Sequence, residues 1–119
     1  MTLAQGDFMK HVVEESAKLT FSDLPFEEGC DWVRKMPYHS VPSFAGKLTY
    51  PGYKHIPVSY IFCKEDRILP PDFQRSVIQT IEEESGKKVD VRTLKTGHCP
   101  NASAPEETAK VIVSAVAGA

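Results

Sequence analysis

The spacing of apolar positions changes partway along this chain. In the first part they recur at helical intervals, with Phe8, Val12 and Leu19 sharing much of one face of a helix that runs from about Ala4 to Leu19. Ser22 or Asp23 then caps a second helix. Its first turn tolerates Pro25, its body carries Cys30, Val33 and Met36 on one side with Trp32 off that stripe, and Pro37 stops it. From Tyr38 to Ile56 the prolines and glycines at 42, 46, 51 and 52 interrupt Phe44, Leu48, Tyr50 and Tyr53, which reads as a loop or short helix with aromatic anchors. Pocket lining is the other role open to Tyr38, Tyr50 and Tyr53.

From Pro57 the pattern becomes that of alternating strands and helices. Val58 to Cys63 is a short β-rich apolar run of the kind covered on both faces. After Pro70-Pro71, Phe73, Val77, Ile78 and Ile81 predict a helix to about Ser85, stopped by Gly86. Val89 to Leu94 alternates as a second strand, and Ser103 with Glu106 has the spacing of a capping box opening a last helix that buries Ala109, Ile112, Val113 and Val116. The expected class is α/β, with a helical segment over residues 1–56 and a β-α-β-α unit with parallel strands over 57–119.

Charge and composition narrow the function classes. With 14 Lys and Arg against 16 Asp and Glu, net charge −2, and runs of mixed sign such as Lys64-Glu65-Asp66-Arg67, the chain has no basic stripe for nucleic acid. Met1 to Lys10 has neither a basic leader nor a following apolar stretch, and no later run has the length and apolarity to cross a bilayer, so the expectation is a soluble, cytoplasmic protein. Cys30, Cys63 and Cys99 are odd in number and without paired spacing, which predicts reduced thiols. Asn101-Ala102-Ser103 matches a glycosylation acceptor, read as coincidence without a secretory route. His11, His39 and His55 lack metal-site spacing and are assigned to the surface or the helical segment. No phosphate cradle or dinucleotide fingerprint occurs, so no metal or organic cofactor is expected.

The chemistry lies after the two strands. A right-handed β-α-β crossover leaves both strands parallel, ending at one sheet edge, and Asp66 follows the first strand as Gly97-His98 follows the second. A carboxylate there accepts the imidazole Nδ1 hydrogen, fixes the tautomer and leaves Nε2 as a general base.

The residues Glu65-Asp66-Arg67-Ile68-Leu69-Pro70, the helix containing Gln74, and Thr96-Gly97-His98-Cys99-Pro100 with Pro105-Glu106-Glu107 resemble the carboxy-terminal half of an α/β-hydrolase. Phe21-Ser22-Asp23-Leu24-Pro25 with Trp32-Val33 resembles the cap of small-molecule hydrolases of that superfamily, including plant and fungal esterases. The resemblance implies a partial α/β-hydrolase fold, with Asp66 as triad acid, His98 as triad histidine, and Phe8 to Tyr53 as a cap over a small acyl substrate. By analogy it also suggests fungal secondary metabolism. The family's Gly-x-Ser-x-Gly elbow and its glycine-rich oxyanion segment do not occur in these 119 residues. Ser40, Ser43, Ser59 and Ser76 lack the flanking glycines, with Ser40 and Ser43 read as capping or turn residues. Cys99 adjoins His98, from which a neighbouring side chain diverges, and Cys63 sits in a buried strand, so neither is expected to be the nucleophile.

Three functions follow. The first is hydrolysis of a small ester, lactone or related metabolite with the nucleophile supplied elsewhere or by activated water. The second is nonhydrolytic acid and base catalysis (isomerase, lyase or cyclase) by Asp66 and His98. The third is a noncatalytic, truncated hydrolase serving as an interaction module. Two strands leave sheet edges and faces to be covered, so a homodimer or a complementing amino-terminal hydrolase half is the expected partner, beside a small-molecule substrate.

Overall fold

The computed structural model describes residues 2–118. Its elements in chain order are β1 (Thr2–Gln5), β2 (Phe8–His11), α1 (Val13–Thr20), α2 (Phe26–Lys35), β3 (His39–Ser40), β4 (Ser59–Cys63), α3 (Pro71–Ser85), β5 (Asp90–Leu94), α4 (Pro100–Ser103) and α5 (Pro105–Ala117), with 3-10 turns at Pro42–Ala45 and Gly52–Lys54.

The helix expected from Ala4 to Leu19 begins only at Val13. Before it, β1 and β2 form an antiparallel hairpin with Gln5 opposite Phe8, and β3 adds to β2. The two loop residues are Gly6 and Asp7, and Gly6 adopts φ +62°, the left-handed value that a tight hairpin favours. A glycine-aspartate pair between short segments is a hairpin signal that the apparent period of Phe8, Val12 and Leu19 obscured. Residues 2–56 thus hold a small sheet with a helical pair and are not helical throughout.

α1 and α2 pack around Ala17, Phe21, Cys30 and Val33. Gly29 allows the close approach, since a Cβ there would lie 3.3 Å from the Cβ of Phe21 and 3.4 Å from that of Ala17. Trp32, off the buried stripe, stacks on Phe21 with ring centroids 6.1 Å apart. The expected cap by Ser22 or Asp23 is absent: α2 starts after Pro25, with no side-chain cap.

The expected parallel pair is present, with Ser59 opposite Asp90 through Cys63 opposite Leu94. Gly86 ends α3 with φ +69° and donates its N–H to Glu82 O. The capping box before α5 does not form. Ala104 precedes the helix without a side-chain bond, while the Ser103 hydroxyl reaches back to Cys99 O.

Nor does α5 bury its expected face. Thr108 is its buried residue, while Ala109, Ile112, Val113 and Val116 are exposed, because two strands are too narrow to cover the helix's apolar side. A groove of about 320 Å³ opens there between α5 and the sheet, lined by Ile61, Arg92, Ile112 and Val116 among others. Phe62, Ile78, Val91 and Thr93 line a second groove, of about 440 Å³. The anchors expected after α2 are mostly unburied: the aromatic Phe44 and Tyr50, like Leu48, face solvent, while Tyr53 docks, donating its hydroxyl to Glu84 on α3. The chain exposes 8287 Å², against about 6,400 Å² for a globular monomer of its mass. Its radius of gyration is 16.1 Å, where a compact domain of this length has about 13.5 Å. Among the described residues no helix is long and apolar enough to cross a membrane.

Candidate active site

The two strands converge where their parallel register directs them. Beyond β4 and β5 the ladder continues for two more rungs, Lys64 N–H to Leu94 O at 3.0 Å and Glu65 N–H to Thr96 O at 2.9 Å. Those rungs carry Asp66 to the turn Thr96-Gly97-His98, 32 residues away. There His98 Nδ1 lies 2.9 Å from Asp66 Oδ2 and 3.1 Å from Oδ1.

Asp66 is buried and held in one orientation. Its Oδ1 also accepts the backbone N–H groups of Ile68 at 2.8 Å and Leu69 at 2.9 Å, so backbone dipoles solvate this buried carboxylate. Behind it, Gln74 is 2% exposed. Its carboxamide accepts Cys63 N–H at 2.9 Å and donates to Cys63 O and Leu69 O, each at 2.8 Å. Lys64 turns its N–H inward to Leu94, so Cys63 one residue earlier presents its polar groups to the outer edge of β4, where Gln74 takes them both. One side chain thus closes the end of β4 and sets the chain that delivers Asp66.

His98 is fixed from the other side. Asp23, in the segment joining α1 and α2, accepts Gly97 N–H at 2.7 Å through Oδ2. Glycine at 97 permits this approach, because an added Cβ would lie 2.8 Å from Asp23 Oδ1 and 3.1 Å from Ser22 Oγ, and the Asp23 carboxylate would have to move. Just after His98, Cys99 and Ala102 pack on the α1–α2 core. With Nδ1 engaged by a carboxylate, the half-buried His98 ring has its Nε2 free to take or give a proton. This arrangement is a histidine oriented by a buried carboxylate.

The other sequence candidates do not join it. Ser43 donates its hydroxyl to Ser40 O at 2.6 Å, so the 3.0 Å contact with His39 Nε2 has the imidazole as donor and gives no activated serine. Ser59 bonds Asp90, and Ser76 donates to Phe73 O within α3. All three cysteines are free thiols. Burial pushes the Cys63 and Cys99 thiols up, and the carboxylates of Asp66 and Asp23 act in the same direction, which disfavours the thiolate a nucleophile needs. His11 contacts the buried Ser16 Oγ at 2.9 Å, and His55 stacks with Tyr50, both away from this pair. Sequence reasoning missed the role of Asp23, whose position before a helix suggested only a cap.

Comparison with known proteins identifies the family and the fold. The model of the alpha/beta hydrolase family matches residues 4–111. A probable hydrolase, R7, of Phoma sp. is 41% identical over 91 residues, 76% of this chain and 37% of the relative. Polyneuridine aldehyde esterase superposes over 98% of this chain and 47% of its own, at TM-score 0.69 and 21% identity. A pyrethroid hydrolase from Sphingobium faniae does so over 96% and 45%, at TM-score 0.66 and 24% identity. The chain belongs to the α/β-hydrolase family and adopts a partial form of its fold. It spans 37% of the length of the curated relative and about half that of these solved structures.

Proposed function

We propose that this chain contributes the acid, the base and the cap of a hydrolase acting on a small ester, lactone or related metabolite. The observation that carries the reading is the hydrogen bond from His98 Nδ1 to a buried, backbone-anchored Asp66, in a chain whose relatives include a protein named as a hydrolase. In this mechanism His98 Nε2 takes the proton of a serine hydroxyl as its oxygen attacks the acyl carbon. It then gives that proton to the departing alkoxide, and Asp66 stabilises the transient imidazolium. Water, deprotonated by the same nitrogen, then attacks the acyl carbon, and His98 returns that proton to the serine oxygen as the acid departs. Serine and oxyanion donors come from outside these 119 residues, which hold no Gly-x-Ser-x-Gly.

A complementing amino-terminal hydrolase half supplies both and covers the open sheet; a homodimer joining two sheets is the other arrangement. Support for association comes from the excess exposed area and the bare apolar side of α5. The second chemical reading is nonhydrolytic proton transfer, favoured because the Asp66–His98 pair is complete within the chain.

The deciding experiment uses a fluorophosphonate probe and turnover of small esters and lactones by the chain alone and with an amino-terminal hydrolase half. Covalent capture of a serine on the partner, with activity falling about a hundred- to ten-thousand-fold in His98→Ala, supports hydrolysis. Turnover without capture but dependent on His98 supports the proton-transfer reading. Ligand or partner binding unchanged in His98→Ala, with no turnover, refutes both and favours an interaction module.

A further inference from the structure

We infer that Asp23 is a positioning residue for His98, through which the helical segment holds the histidine turn in place. This rests on the reading of His98 as the base, and adds a component that no strand or loop of the β-α-β unit contains.

Two aspartates hold the same turn. Asp66 holds the His98 side chain at Nδ1, while Asp23 holds the backbone one residue earlier, at Gly97 N–H, across 74 residues of sequence. The Asp23 bond is charge-assisted and short, at 2.7 Å. Its other oxygen, Oδ1, is buried without a hydrogen-bond partner among the described residues. That is a costly state for a carboxylate oxygen. The structure keeps it in a place where the Gly97 backbone approaches so closely that a methyl group would collide with it.

A capping or surface role explains neither feature, since α2 starts three residues later with no side-chain cap. Packing of Cys99 and Ala102 on α1 and α2 reinforces the link, so His98 is flanked on both sides by residues bound to the helical segment. Displacing that segment therefore pulls on Gly97 and takes the imidazole off Asp66, and docking of the segment and presentation of Nε2 become one event.

The test reads the His98 tautomer in long-range proton–nitrogen spectra of the 15N-histidine-labelled chain, at a pH where the ring is neutral, with His98→Ala supplying the assignment. The wild type is expected to carry its proton on Nδ1. Asp23→Ala is expected to convert this to a mixture of tautomers, and Asp23→Asn, whose amide oxygen still accepts Gly97 N–H, to restore the wild-type pattern. A folded Asp23→Ala with the wild-type tautomer, or Asp23→Asn as disturbed as the alanine form, overturns the inference while leaving the proposed function standing. A wild type without the Nδ1 proton refutes the Asp66–His98 pair itself, and the proposed function with it. If Asp23→Ala does not fold, Gly97→Ala takes its place: its methyl group drives the carboxylate away, and an unchanged tautomer there overturns the inference equally.

Discussion

Gln74 shows how much of a site can depend on a side chain that performs no chemistry. Its carboxamide satisfies three backbone groups around Cys63 and Leu69 at once, in a position closed to water. Gln74→Ala strands all three and leaves a void, and is expected to cost about 3 kcal/mol. That appears as a lower urea midpoint with little change in slope. If Asp66 depends on this anchor, the same variant also weakens the His98 Nδ1 hydrogen bond. Glutamine in a helix after two prolines gives no sign in the sequence that it is buried. Asp66 and His98, by contrast, were legible because the strand ends alone bring them together.

Among the elements, the joint between α3 and β5 carries a pH dependence of its own. Glu82 accepts Val89 N–H at 3.1 Å and pairs with Lys88 at the same distance. The Val89 bond, with Lys88 adding to it, holds this carboxyl below its ordinary value of 4.5. A depressed carboxyl favours the folded state above that ordinary value, and its contribution is lost as pH falls through about 4.5 and below. Glu82→Gln is therefore expected to lose stability at neutral pH and to show a shallower decline between pH 5 and about 3, measured by urea unfolding across that range. At the amino-terminal end, His11 is pushed down chiefly by burial beside Ser16. Folding then favours its neutral form, and stability falls as pH drops below about 6.5. His11→Gln is expected to flatten that part of the profile.

For the whole molecule, the chain leaves unburied about 1,900 Å² more than a monomer of its mass exposes, over twice the roughly 800 Å² that a standard interface covers on each partner. Ile112, Val113 and Val116 on α5 are bare apolar residues, and the sheet beside them has two strands among the described residues. On the proposed assembly, Ile112→Glu with Val116→Glu is expected to abolish association in sedimentation velocity while leaving the melt of the free chain nearly unchanged. Retained association places the interface elsewhere.

The amino-acid sequence by itself determined the parallel β4–α3–β5 unit, the stop at Gly86 and the pairing of Asp66 with His98. Each follows from local periodicity, a left-handed glycine or the handedness of a crossover, and those act over short stretches of chain. Only the tertiary structure decided that β3 adds to β2, that α5 turns its apolar side outward, and that Asp23 reaches Gly97 instead of capping α2. In each case the deciding partner, or its absence, lies far along the chain. A hydrogen bond spanning 74 residues, or a sheet too narrow to cover a helix, leaves no trace in the spacing of neighbouring residues.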